Sequence, residues 1–152
     1  MRKTEEAFHW IVWILRKHKV PFQITGGFAA NIYWSTRPLA DIDLDLPDKD
    51  IFDILPEVQK YVIYWPKHYH DGKFDMLLAT LKYKGQEIDL WWCSDEQIYN
   101  KKHKCRENLQ INFSKVTRKK VFGLIVQVIP KDELIKYKSK NQEHADDIAA
   151  IS

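Results

Sequence analysis

No segment of this chain reads as a membrane span. The N-terminal apolar patch from Phe8 to Leu15 is interrupted by His9 and falls far short of the ~18 residues a crossing helix needs. The acidic pair Glu5 and Glu6 also argues against a signal peptide. Cysteine is scarce, with only Cys93 and Cys105. The two could pair, but a chain with enough apolar residues for a core needs no covalent staple, so a reducing, cytoplasmic setting is expected. Nowhere do glycine, proline and serine gather into a linker, so residues 1–152 are expected to form one domain. A charge excess is missing as well. The 24 basic and 21 acidic residues leave a net +3, too little to demand a nucleic-acid partner.

What is present is core material: 45% hydrophobic residues and 13% aromatic, with six tryptophans, against 30% charged. Such a chain is expected to be globular. In residues 4–18, Phe8, Ile11, Val12 and Leu15 recur at helical spacing, with Thr4 placed as an N-cap and Arg16 to Lys19 suited to the C-terminal dipole. Residues 22–25 read as a short strand, Gly26-Gly27 as a break, and residues 28–34 as a helix. A helix over about 48–60, interrupted by Pro56, precedes a β-prone stretch at 61–65. Residues 74–83 and 86–92, joined by Lys84-Gly85, predict a hairpin. Segments 111–116 and 121–129 are strand candidates, and 130–138 and 141–151 read as helices. The interleaving predicts an α/β (α+β) fold with a mixed sheet flanked by helices.

Chemistry concentrates in Asp41-Ile42-Asp43-Leu44-Asp45-Leu46. In a strand, residues two apart share a face about 6.5–7 Å from one another. Asp41, Asp43 and Asp45 therefore project together, while Ile42, Leu44 and Leu46 enter the core. Repulsion among crowded carboxylates can be tolerated on an exposed strand, but a divalent cation explains it better if another acid arrives from elsewhere. Asp89, in the strand-like Glu87-Ile88-Asp89-Leu90, is the candidate. Mg2+ suits such a set, because it takes a few carboxylate oxygens and completes its shell with phosphate and water. Gly26-Gly27, between strand and helix, offers bare backbone and a helix N-terminus for phosphate oxygens, although a plain turn needs the same residues.

The run Ile24-Thr25-Gly26-Gly27-Phe28-Ala29-Ala30, followed by Arg37-Pro38-Leu39-Ala40-Asp41-Ile42-Asp43-Leu44, resembles the nucleotidyltransferase superfamily. The likeness is greatest to the branch of lincosamide and aminoglycoside adenylyltransferases and small bacterial proteins. It implies that Gly26 and Gly27 form a phosphate-binding turn, that Asp41 and Asp43 hold metal, and that Asp89 is a third acid helping to activate an acceptor hydroxyl. Arg37 matches an arginine that contacts phosphate or anchors the loop. Lys138 matches a lysine on a later helix, although the arginine usual in that region is missing and the spacing to Asp146 and Asp147 differs. A nucleoside triphosphate is the implied substrate, with two Mg2+ ions about 3.5–4 Å apart serving in-line displacement.

Other clusters carry weaker readings. His68, His70 and Asp71, with Cys93 or His103 and Cys105 farther off, fit no zinc spacing and read as a solvated loop. Trp91 and Trp92 alternate faces, so that both can pack against the sheet or one can stack on a base. The basic segments 101–106 and 118–120 read as solvated turns or as a patch facing RNA. Three functional classes follow: a transferase acting on a small molecule, an RNA end or a protein hydroxyl; a catalytically degenerate nucleotidyltransferase-like domain that binds nucleotide or a toxin–antitoxin partner; and a structural domain with decorative acids. The residues left after Trp92 are few for enclosing an acceptor, so a homodimer or a macromolecular acceptor could cover an open site.

Overall fold

A computed structural model describes residues 2–33, 39–46, 51–70, 75–93 and 117–139. Helix α1 (Arg2–Lys17) leads through a turn into β1 (Gln23–Ile24), α2 (Gly26–Tyr33) and β2 (Asp41–Asp45). Then come α3 (Ile51–Val58), a 3-10 turn (Gln59–Tyr61) and strands β3 (Val62–His70), β4 (Asp75–Tyr83) and β5 (Gln86–Cys93). After these lie β6 (Thr117–Val121), β7 (Leu124–Val128) and α4 (Lys131–Ser139). The described strands form one seven-stranded sheet in the order β3-β4-β5-β2-β1-β7-β6. Its β2–β5 and β1–β7 pairs are parallel and the others antiparallel, so the α+β mixed sheet expected from the sequence is the one observed.

Strand pleating sorts the sheet into two faces. Ile24, Ile42, Leu44, Ile88, Leu90, Ala79, Leu81, Val126 and Val128 are buried together with Phe8, Ile11 and Leu15 of α1 and Phe28, Ala29 and Ala30 of α2. Burial of each large aliphatic side chain contributes about 1.5–3 kcal/mol before entropy is counted, so this face fixes the register of β2 and β5. A one-residue slip would turn the carboxylates of β2 into the core. Buried Gln86 adds a polar lock. Its Oε1 accepts from Thr4 Oγ1 at 2.7 Å and its Nε2 donates to the carbonyl of Ala40 at 3.0 Å, tying α1 to the residue just before β2.

Several local expectations are corrected. Thr4 lies inside α1 and spends its hydroxyl on Gln86, so it is not an N-cap. The α-helix passes through Pro56 and tightens into the 3-10 turn only after Val58. The candidate strand 121–129 is not one strand: Val121 ends β6 and β7 begins at Leu124, because Phe122 and Gly123 both take positive φ (48° and 85°), the geometry of a tight two-residue hairpin turn. Lys84 and Gly85 make the same turn (49° and 86°) between β4 and β5, as expected. Residues 118–120, read as a turn, belong to β6. His68 and His70, read as loop residues, lie on β3, while Asp71 is outside the described residues. The segments 101–106, 111–116 and 141–151 also lie outside them.

Candidate active site

The sheet face opposite the core collects the acids. Asp41 and Asp43 lie on β2, and the parallel neighbour β5 places Glu87 beside Asp41 and Asp89 beside Asp43. All four are half-buried. The carboxyls of Asp41 and Asp89 are in hydrogen-bond contact, which requires a shared proton or a cation between them. Burial pushes Asp89 up to about 6. The hydroxyl of Thr80 on β4, donating to Asp89 Oδ1 at 2.7 Å, opposes that rise, and the charges of Asp41 and Glu87 add to it. Asp41 is also raised, first by burial and then by the charge of Glu87. A bound cation would replace the shared proton and relieve both carboxyls.

The glycine turn meets this cluster directly. Gly26 has φ +61°, and a Cβ placed there would lie 2.8 Å from Oδ2 of Asp43. Only glycine gives both the left-handed backbone and the close approach. The amide of Thr25 donates to the carbonyl of Asp43 at 3.1 Å, and the carbonyl of Thr25 accepts from Ala29 at 3.2 Å, opening α2. The helix N-terminus, with first-turn N–H groups that have no intrahelical acceptor, thus stands beside Asp43. Gly27 follows within the first turn of α2.

Asp45 shares the acidic face but not the environment of its neighbours. It is 1% exposed, and its Oδ2 has no hydrogen-bond partner among the described residues. Burial holds its carboxyl well above the usual range, the charge of Asp43 adds to this, and a hydrogen bond with Gln23 opposes it. Trp91, opposite Asp45, is half-buried on this face, and Trp92 is in the core. Lys138 lies on α4, a helix that packs against α2. Arg37 is outside the described residues. Among the described residues no group of three or more His, Cys, Asp or Glu is preassembled as a metal cage. Asp43 leans on the glycine turn while Asp41 and Asp89 engage each other.

Sequence reasoning brought out Asp41, Asp43, Asp89 and the two glycines, and the structure gathers Asp41, Asp43, Asp89 and Gly26. Glu87 and Thr80 were missed. Their signal was the hairpin register: counting back three from Tyr83 and forward three from Gln86 sets Thr80 opposite Asp89. No described helix is long and apolar enough to cross a membrane.

No family model matches the chain, and no curated protein matches it in sequence. Solved structures do match its shape. One, from Thermotoga maritima and assigned as a nucleotidyltransferase, has a TM-score of 0.63 at 15% identity, covering 95% of this chain and 89% of that one. Another is ANT(2″)-Ia in complex with adenylyl-2″-tobramycin, at TM-score 0.57 and 16% identity, covering 97% and 87%. A third is the lincosamide antibiotic adenylyltransferase LnuA, lincomycin-bound, at TM-score 0.60 and 12% identity, covering 97% of both chains.

Proposed function

We propose, from the nucleotidyltransferase-like fold that the likeness to these structures shows and from the acidic face, that the protein transfers a nucleoside monophosphate from a nucleoside triphosphate to a hydroxyl-bearing acceptor, with Mg2+ as cofactor. The observation that carries the reading is the registry of Asp41, Asp43 and Asp89 on adjacent strands, with the Gly26 backbone packed against Asp43.

The residues fit Mg2+ by their chemistry. Asp41, Asp43 and Asp89 are hard oxygen donors, two of them held so close that they need a cation or a proton between them. When bound, Mg2+ would neutralise phosphate charge and lower the pKa of an attacking hydroxyl. The chain's own contributions follow from position. The N–H groups at Gly26 and Gly27 receive phosphate oxygens, and Arg37 and Lys138 are assigned as further contacts to the triphosphate. Asp89 orients the acceptor hydroxyl and accepts its proton. The acceptor oxygen then bonds to the α-phosphorus as the bond to the bridging oxygen breaks, and pyrophosphate leaves. No covalent enzyme intermediate is needed.

A second reading is a domain that binds nucleotide without turnover. The observation in its favour is that Asp41 and Asp89 are engaged with each other and no cage is preassembled among the described residues. Pyrophosphate release with Mg2+, measured for each triphosphate against a panel of hydroxylated acceptors, tests the two. Turnover that is lost in Asp89→Asn while triphosphate binding persists supports transfer. Binding without pyrophosphate from any acceptor supports the second reading.

A further inference from the structure

Asp41 is the first residue of β2, and β1 reaches only Leu44 and Asp45 of that strand. Among the described residues β5 is therefore the one strand beside Asp41, through the Asp41–Glu87 pair. A strand end with a neighbour on one side opens more readily than the middle of a sheet. A carboxylate that binds metal must nevertheless be held to within about 0.5 Å.

Gln86 supplies the restraint from the core side of the sheet. It is 2% exposed, and its Nε2 donates to two carbonyls, that of Ala40 at 3.0 Å and that of Glu87 at 3.1 Å. The first carbonyl belongs to the residue before β2 and the second to β5, so one amide group bridges the two strands at the level of the Asp41–Glu87 pair. The carbonyl of Ala40 and the N–H of Asp41 belong to one planar peptide unit, so fixing the first fixes the second. Thr4 of α1 orients the amide in turn, its Oγ1 donating to Oε1 at 2.7 Å. An apolar side chain of like volume would fill this space; a fully bonded amide also fixes direction. Thr80 holds Asp89 directly at 2.7 Å, and Gln86 holds Asp41 through its peptide bond.

We infer that Gln86 is a positioning residue for the transfer: it clamps the Ala40–Asp41 peptide to β5 and so keeps the Asp41 carboxyl beside that of Asp89, where the two can share a cation. This rests on the transfer reading above and adds to it a residue that acts through the backbone.

The test separates positioning from stability. Gln86→Met keeps the volume and removes the donor. Gln86→Glu keeps the shape and the acceptor for Thr4 while replacing the donor with oxygen. Thr4→Val removes the bond from α1 and leaves the amide on its two carbonyls. All three should melt below the starting protein. At a temperature where each is folded, calorimetric titration with a non-hydrolysable triphosphate gives the Mg2+ concentration needed for half-maximal binding. That concentration should rise at least fivefold in both Gln86 variants, with binding restored at saturating Mg2+, and stay within twofold in Thr4→Val. In the metal-free chain, amide hydrogen exchange across residues 40–43 should be at least tenfold faster in the Gln86 variants and within twofold of the starting protein in Thr4→Val. An Mg2+ requirement that moves no more in the Gln86 variants than in Thr4→Val would overturn the inference, whether or not exchange is faster, and would leave Gln86 a packing residue with the transfer reading intact. Absence of triphosphate binding in the starting protein at any Mg2+ concentration would remove the transfer reading and this inference with it.

Discussion

A Cβ at Gly26 would stand 2.8 Å from Oδ2 of Asp43, so the glycine turn and the acidic strand cannot move independently. Gly26→Ala meets two costs, a left-handed backbone worth about 1–2 kcal/mol and displacement of the Asp43 carboxyl. Melting should fall by several degrees, given ~2–4 °C per kcal/mol in a chain of this size. Triphosphate affinity should fall at least tenfold. A folded Ala variant with unaltered triphosphate affinity would separate the turn from the site.

Thr80 donates to Asp89 Oδ1 at 2.7 Å, which on the proposed reading leaves Oδ2 to face the acceptor. A hydrogen bond to a charged group is worth about 1.5–3 kcal/mol, so Thr80→Val should lower kcat roughly tenfold or more. The KM for triphosphate should change little. Thr80→Ser keeps the hydroxyl and should restore most of the rate. Equal losses in Val and Ser would assign the effect to packing.

How much of this was legible in the sequence depends on locality. The alternation of β2, the glycine turn and the Lys84-Gly85 hairpin are local patterns, and each emerged with its residues nearly in place. The parallel pairing of β2 with β5 is non-local. Nothing between Asp43 and Asp89 states that they are neighbours; the crowding of acids on β2, the strand pattern around Asp89 and the family resemblance suggested it, and the pairing itself comes from the fold. Asp45 was grouped correctly by pleating, but its complete burial depends on what the rest of the chain lays against that end of the strand.

Metal binding should be pH-dependent because burial raises Asp89 to about 6. Below that value a cation must displace the proton, and above it the carboxylate is already ionised. Mg2+ affinity should therefore rise between pH 5 and pH 7, with proton uptake by buffer visible in calorimetry at the acid end. Asp89→Asn should flatten the dependence. A constant affinity across that range in the starting protein would contradict the assignment of Asp89 as a ligand.

Asp45 gives a stability prediction of a particular sign. Its folded-state pKa lies above the unfolded one, mainly through burial, so the neutral form is favoured and stability is lost as pH rises through the raised value. Asp45→Asn removes the ionisation. The variant should gain about 2–4 °C over the starting protein at pH 8, roughly the effect of 1 kcal/mol, and less at pH 5. Thermal melts at the two pH values decide it; a gain no greater at pH 8 than at pH 5 would show that ionisation of Asp45 is not the cause.

The central claim is that the registered acids and the glycine turn form one triphosphate site, and calorimetric titration with a non-hydrolysable triphosphate tests it without knowledge of the acceptor. The starting protein should bind in the presence of Mg2+ and at least tenfold more weakly without it. Asp43→Asn should melt normally and bind at least tenfold more weakly than the starting protein with Mg2+ present. Binding that is absent from the starting protein, or equally tight in Asp43→Asn, would contradict the account.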